Sequence, residues 1–446
     1  MKKPVWLLAL NVQVLAIVGF WFWSHVQSPM GNLLSGDTPD KVLAWGRLAG
    51  LLAALSILFQ FILIGRVRWV ERVFGMDRLT RLHHVVGFAL VLLLVAHPVL
   101  STFGHAMQAD AGYWAQTLDF CKTWKGLLAA YVGLSLMIAA SAASVLVVSK
   151  RLSYERWYAT HLVLYGAFGL TILHQLAVGS DFTAHRAFRI YWCALYACVF
   201  VPMFYCRFVR PLRLFMRHRF AVTRVVPETD DVTSIYLGGK ELERFPAVAG
   251  QFLIVRFLAK GFRWEAHPFS LSRLPDGQQL RLTVKQLGDF TRRVPQLKPG
   301  TPVLIEGPYG VFTMKGCSSS KALLVAGGIG ITPIRALAEE LVTTGREAVL
   351  IYANRNSGST VFLSELNELV GRSGGHLSLI LVMSGEPAWP GQNGRIDRAL
   401  LERLVPDVQS RDVFVCGPPP MMKSVRAALA GLGVASLRIH DERFAL

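Results

Sequence analysis

The sequence predicts a mixed architecture: a bundle of six transmembrane helices, then an antiparallel β-barrel, then an α/β domain built on a parallel sheet. Three observations predict it. Six long apolar runs crowd the first half, the composition turns to that of a soluble protein after Arg219, and strand-like and helix-like segments alternate from Ala322 onward. At 446 residues the chain suits two or three domains, and the expected boundaries are 1–210, 211–318 and 319–446. A hydrophobic fraction of 52% is too high for a soluble enzyme of this size, and the excess lies in the first half.

The apolar runs fall at residues 5–23, 43–65, 80–103, 127–148, 158–178 and 188–208. Each is long enough to cross ~30 Å of hydrocarbon. Lys2 and Lys3 precede the first run, which is long, rich in Trp and free of a small-x-small cleavage site, so it reads as a retained helix rather than a signal peptide. The formal net charge of +18 is not spread evenly. Basic clusters (Arg66, Arg68, Arg72, Arg78, Arg81; Lys150, Arg151, Arg156; Arg207, Arg210, Arg213, Arg217, Arg219) occupy alternate gaps between the runs. The other gaps carry Asp37, Asp40, Asp110, Asp119 and Asp181. That alternation is the positive-inside pattern, and it assigns the charge to a cytoplasmic face and anionic lipid, not to nucleic acid. The expected location is the inner (plasma) membrane, multi-pass, with both termini cytoplasmic. The six cysteines show no CxxC or zinc-type spacing, which argues against a disulfide framework or an iron–sulfur cluster.

Four histidines stand inside two of these runs. His83 and His97 are 14 residues apart, which on an ideal helix is roughly 21 Å and an offset of about 40°. His161 and His174 are 13 apart, roughly 20 Å along their helix but rotated by about 220°. The third and fifth runs both point outward, so the histidines pair by depth, His83 with His161 and His97 with His174. An imidazole in hydrocarbon is costly unless something binds it. Each pair suits a haem iron held between two neutral imidazoles, giving two b-type haems placed for electron transfer. The competing reading makes them hydrogen-bonded packing residues. His84, 13 residues from His97, is the alternative inner ligand. Arg47, at the outer start of the second run, either pairs with a haem propionate or snorkels to headgroups.

In the second half, residues 220–236, 251–258 and 280–285 read as strands, and Gly307 to Gly310 as a turn. A buried strand beginning at Ala322 runs into Gly327, Gly328, Ile329, Gly330, Ile331, Thr332 and Pro333 and then a helix over 334–343. Backbone N–H groups at such a glycine turn can meet a pyrophosphate, although the same turn also serves tight packing. Strands at 349–355, 377–383 and 412–418 and helices at 361–370, 396–404 and 420–431 follow. Cys416, Gly417 and Pro418 would border the same crevice. His267, Pro268, Phe269, Ser270 and Ser272 present an aromatic and two hydroxyls, with Gly288 and Thr291 offering further donors. Arg355 either pairs with a 2′-phosphate or is an ordinary loop arginine.

HPFSLS, GGIGITP, CGPPPMM and the terminal Glu442-Arg443-Phe444 resemble the ferredoxin–NADP reductase superfamily. Joined to the four histidines, they resemble the membrane ferric reductase and NADPH oxidase superfamily, bacterial type. The resemblance implies FAD held by His267, Pro268, Phe269 and Ser270, with Gly288 and Thr291 near its pyrophosphate. It implies NADPH or NADH on Gly327, Gly328, Gly330, Thr332 and Pro333, with Cys416, Gly417 and Pro418 beside the nicotinamide and Phe444 shielding the flavin. Cys416 and Phe444 are thus the expected catalytic positions. It also favours His83, since family members carry His followed by a basic residue there. Ser101 stands where the animal oxidases have a further histidine, which puts a dedicated superoxide-forming site in doubt. The implied activity is NAD(P)H-dependent reduction, across the membrane, of ferric iron, its chelates or dioxygen, with no obligatory protein partner. A module delivering electrons to an outer redox protein, and a membrane-anchored flavin reductase with structural histidines, are the alternatives.

Overall fold

The computed structural model describes residues 3–27, 33–34, 36–148, 154–315 and 317–443; Lys2, Lys150, Arg151 and Phe444 lie outside the described residues. Two compact units form, one from Met1–Gly65 and Thr80–Met203, the other from Arg66–Leu79 and Phe204–Leu446.

The helical elements are α1 (Lys3–Gln27), α2 (Thr38–Ile64), α3 (Arg68–Phe74), α4 (Met76–Gln108), α5 (Tyr113–Thr123), α6 (Leu127–Val148), α7 (Tyr154–Val178), α8 (Ser180–Ala184), α9 (Arg186–Phe204) and α10 (Arg210–His218), with a π-helical turn between the last two. Among the described residues, six stretches are long and apolar enough to cross a membrane, and they coincide with the six apolar runs. Polar residues extend the helices beyond those runs. Asp37 caps α2 by accepting from the Asp40 N–H at 3.2 Å, with Pro39 in the first turn, and α4 begins on Met76 and Asp77 and continues through Pro98. The α4 side chains Val85, Phe88 and Leu92 are exposed, as a lipid-facing stripe requires, whereas Ile17, Leu58, Phe168 and Trp192 are buried at the centre of the unit. The short helices α3, α5 and α8 occupy gaps that charge alone marks as loops.

The second unit holds two three-stranded antiparallel sheets. One has the order β1 (Ala221–Thr229), β2 (Val232–Gly238), β5 (Leu280–Lys285); the other β4 (His267–Ser270), β3 (Phe252–Phe257), β6 (Val303–Tyr309). They share one core, including Ile235, Leu253, Phe257, Leu282 and Ile305, and a bridge at Leu271–Leu282 joins them, which is compatible with a barrel. The expected turn at Gly307 is corrected: β6 continues through Gly307 and Pro308 to Tyr309, and the chain turns at Gly310, whose φ is +105°. The 220–236 stretch is likewise two strands, turning at Asp230 and Asp231.

The last part is a six-stranded parallel sheet in the order β10 (Gln392–Asn393), β9 (Leu377–Met383), β8 (Glu347–Asn354), β7 (Lys321–Gly327), β11 (Asp412–Cys416), β12 (Ile439–Glu442). Four helices accompany it, with the small α11 (Asp289–Arg293) in the preceding sheets: α12 (Ile331–Thr343), α13 (Leu363–Arg372), α14 (Arg398–Leu404) and α15 (Pro419–Gly431). The strand order reverses direction at β7, with β8 on one side and β11 on the other, so a crevice opens at the carboxyl ends of β7 and β11. Strands β10 and β12 escape sequence reading because they are two and four residues long.

Candidate functional site

The four histidines meet in the pairs that depth requires. The His83 and His161 ring centres are 6.1 Å apart, and those of His97 and His174 are 6.2 Å apart. α7 achieves this despite the rotation that 13 residues impose on an ideal helix. His84 is exposed, and the ring contact with His161 belongs to His83. The His97 Nδ1–H donates to the Gly46 carbonyl at 2.9 Å, which leaves Nε2 as the nitrogen with a free lone pair. Nδ1 of His83, His161 and His174 is buried without a hydrogen-bond partner. Residues that the sequence reading missed make room for the cluster. A Cβ on Gly50 would stand 2.6 Å from His97 Nδ1, and one on Gly46 would stand 2.8 Å from Ser101 Oγ. Gln60 donates to the His83 carbonyl at 3.0 Å. The spacing of small residues on α2 is visible in sequence, but its target is not. Arg47 lies 3.3 Å from His25 Nε2, a partner the sequence reading did not foresee.

In the second unit the two glycine-bearing motifs press together. A Cβ on Gly330 would meet the Cys416 carbonyl oxygen at 2.3 Å, and one on Gly327 would meet Met421 Sδ at 2.5 Å and Pro418 Cδ at 2.9 Å. Both glycines are required by close approach. Gly328 is different: its φ is +51° and no atom lies within 4 Å of its would-be Cβ. It is the glycine that faces open space. Thr332 and Pro333 sit in the first turn of α12, where Thr332 is buried and its hydroxyl donates to the Ile329 carbonyl at 3.1 Å. Gly417 packs on Gly327, and Pro418 precedes α15. Arg355 follows β8 with its side chain exposed.

His267, Pro268, Phe269 and Ser270 form β4, paired with β3 so that Ser270 opposes Phe252. The His267 ring lies 3.9 Å from that of Phe290, and Arg293, Glu265 and His267 make a chain of contacts at 2.8 Å and 3.3 Å. Ser270 Oγ is buried with no partner. Ser272 behaves otherwise: it is fully buried, its hydroxyl 2.7 Å from Thr283 Oγ1 and accepting from Arg281 Nε at 3.1 Å. Gly288 is open, and Thr291 Oγ1 accepts from the N–H groups of Leu287 and Gly288 at 2.9 Å each, ordering that loop.

Cys416 is fully buried opposite Glu442 in the β11–β12 register, and burial beside Glu442, Asp77 and Asp441 pushes its thiol well above the usual range. Glu442, which the sequence reading noted without assigning it a role, is itself held well above the carboxylate range by burial and by Asp77 and Glu71. The segment 66–79 supplies those last two groups. Within the same unit, Glu71 accepts from the Gly310 N–H at 2.8 Å, Arg66 pairs with Glu306 at 2.6 Å, and Asp77 accepts from the Arg443 N–H at 3.0 Å. Burial raises the Glu71 carboxyl to about 7.

Comparison with known proteins matches three parts of the chain. Residues 49–172 match the ferric reductase like transmembrane component, residues 216–313 an FAD-binding domain, and residues 324–427 an oxidoreductase NAD-binding domain. The glycine betaine monooxygenase reductase subunit of Chromohalobacter salexigens is 29% identical over 242 residues, covering 51% of this chain and 64% of that protein. A flavohemoprotein of Candida norvegensis is 30% identical over 238 residues, covering 50% of this chain and 56% of that protein. The chain thus spans less than two thirds of these relatives' own lengths. The FAD/NAD binding domain of a nitric oxide dioxygenase from Vibrio cholerae O1 biovar El Tor aligns with a TM-score of 0.45 and 24% identity, over 51% of this chain and 98% of that domain. In the described residues, six stretches long and apolar enough to cross a membrane accompany the matches to an FAD-binding domain and an oxidoreductase NAD-binding domain. The chain is thus similar to a ferric reductase like transmembrane component over 49–172 and to FAD-binding and oxidoreductase NAD-binding domains over 216–313 and 324–427.

Proposed function

We propose that this protein carries electrons from cytosolic NAD(P)H, by way of FAD and two b-type haems, to a ferric chelate or dioxygen outside an inner (plasma) membrane. The observation that carries the reading is the pair of ring separations, 6.1 Å and 6.2 Å. Two imidazoles ligating one metal ion from opposite sides, with bonds of about 2 Å, stand with their centres roughly 6 Å apart. The His97–Gly46 hydrogen bond, which leaves Nε2 to face a metal, supports the same reading.

When bound, the flavin would convert a hydride donor into single-electron steps and the stacked haems would span the hydrocarbon. The chain's own residues have simpler tasks. His83 with His161 and His97 with His174 would hold the two irons. His267, Pro268, Phe269 and Ser270 would line the flavin, with the Gly288–Thr291 loop near its pyrophosphate. Gly328 and the N–H groups at the start of α12 would receive the nucleotide pyrophosphate, with Gly327, Gly330, Thr332 and Pro333 shaping the turn. Cys416, Gly417 and Pro418 would flank the nicotinamide, Phe444 would cover the flavin, and Arg355 would meet a 2′-phosphate. Domains at 1–210, 211–318 and 319–446 would divide these tasks. With a negative interior, each electron leaving gains roughly 2.3 kcal/mol per 100 mV.

The test is haem quantification with a reduced-minus-oxidised spectrum on the parent and on His97→Ala and His174→Ala. Two haems in the parent and one in each variant are expected; an unchanged count in either variant overturns the reading. Purified protein given NADPH and a ferric chelate, with no other protein present, tests the acceptor.

A further inference from the structure

Among the described residues, Cys317, Asp412 and His440 form a mixed group of metal-ligating side chains whose Sγ, carboxylate oxygen and imidazole nitrogen all lie within 4.8 Å of one another. They stand far from the nucleotide crevice. Asp412 is the first residue of β11 and Cys416 the last, so the group lies at the opposite end of the parallel sheet, roughly 13 Å along the strand. Cys317 belongs to the connection that enters β7, and His440 belongs to the final strand, β12. Three segments distant in sequence therefore converge on one point.

The group is oriented as ligands are. Asp412 is buried, and its Oδ2 accepts from the N–H groups of Ser318 and Ser319 at 2.9 Å and 2.8 Å, which pins the carboxylate and turns Oδ1 toward His440. His440 stacks on Phe414 at 4.7 Å, and its buried Nε2 lies 3.6 Å from Asp412 Oδ1, too far for a hydrogen bond, leaving that nitrogen without a hydrogen-bond partner. Ligands on a tetrahedral zinc stand roughly 3.3 to 3.8 Å apart, from bonds of about 2.0 Å to nitrogen or oxygen and 2.3 Å to sulfur. The imidazole nitrogen and carboxylate oxygen, 3.6 Å apart, need to close by only about 0.3 Å to reach the roughly 3.3 Å of a nitrogen–oxygen pair.

We propose that Cys317, Asp412 and His440 bind a borderline divalent cation, Zn²⁺ by ligand type, as a structural staple between the start of β7 and the last two strands. Thiolate and carboxylate would supply two negative charges against two positive, and imidazole a neutral nitrogen, a donor set suited to zinc. Binding displaces the thiol proton to solvent, so one proton is released per cation. A water molecule would take the fourth position.

The experiment uses the full chain in detergent, stripped with a chelator and given Zn²⁺ alone, with zinc and iron counted separately by elemental analysis. One zinc per chain is expected in the parent. Cys317→Ser and His440→Ala are each expected to weaken zinc at least about 100-fold. FAD content serves as the control for folding. Alkylation of Cys317 should slow when zinc is added to the parent, a readout that needs no variant. Absence of stoichiometric zinc in the parent overturns the proposal, and so does zinc retained equally by both variants, since it would then be bound elsewhere.

Discussion

In the membrane unit three buried imidazoles, on His83, His161 and His174, leave Nδ1 without a partner. In the second unit the buried Arg281 engages Glu365 through Nη1 at 2.6 Å and Nη2 at 3.0 Å, and Ser272 through Nε at 3.1 Å and Nη2 at 2.8 Å. Both are costly polar groups taken out of water. The arginine is satisfied by its own chain and needs nothing else, whereas the histidines are held in register with donors and acceptors left over. The unpaired ring nitrogens accompany the proposed ligand site, and the completed arginine accompanies a structural contact.

The sharpest way to break that contrast is His97→Ala. NAD(P)H-driven reduction of an acceptor outside the membrane should be abolished, while reduction of a soluble dye by the flavin domain should stay within about twofold, since the change leaves that domain intact. Equal loss of both activities would mean that the histidine is structural. Next in size is Arg281→Met. The arginine side chain is 2% exposed, and removing it takes its hydrogen bonds from Glu365 and Ser272 while Arg335 stays 2.9 Å from Glu365, at a cost of roughly 1–3 kcal/mol in thermal unfolding with haem content unchanged.

Glu71 lies between the two cases, because it has one partner, the Gly310 N–H, and too little else to stay ionised in a buried place. Its carboxyl titrates near 7 when folded and in the ordinary range, near 4.5, when unfolded, so the folded state holds the extra proton. Because burial penalises the ionised carboxyl, the folded state is favoured most below about 4.5 and loses stability as pH rises through about 7, a change of roughly 3 kcal/mol across the window. Thermal stability should fall over that range, and Glu71→Gln should flatten the dependence. A slope that survives the substitution would place the titrating group elsewhere.

The parts legible in sequence are those whose signal is local. The six apolar runs, the glycine turn after β7 and the 14- and 13-residue histidine spacings can all be read along one element. The parts that escaped depend on what lies across from an element. Nothing local to Ser272 says that Thr283 and Arg281 will claim its hydroxyl, and nothing near Glu442 says that Asp77 and Glu71, some 370 residues earlier, will raise its proton affinity. The segment 66–79 reads as a basic membrane-flanking loop by charge. Its membership in the second unit rests on Arg66, Glu71 and Asp77, three residues with no pattern among them.

The smallest expected effect tests whether the histidine geometry is built by the protein alone. Gly50 is on α2, and a methyl group there would stand 2.6 Å from His97 Nδ1 and 2.8 Å from Cε1, well inside contact distance. Either the ring or the helix must give way. Overpacking of this kind costs roughly 1–3 kcal/mol, so Gly50→Ala should still fold. The ring has the less to hold it, because its one hydrogen bond to α2 is to Gly46, a single turn away. The expected outcome is a full protein yield with the outer haem's spectrum shifted or its occupancy lowered and the inner haem unchanged. Gly133→Ala, whose methyl would meet the Ala167 carbonyl oxygen at 2.6 Å in a helix contact without a histidine, is the control. If both substitutions lower stability alike and neither touches the spectrum, the small residues of α2 serve helix packing alone, and the cradle around His97 is not tuned to a ligand.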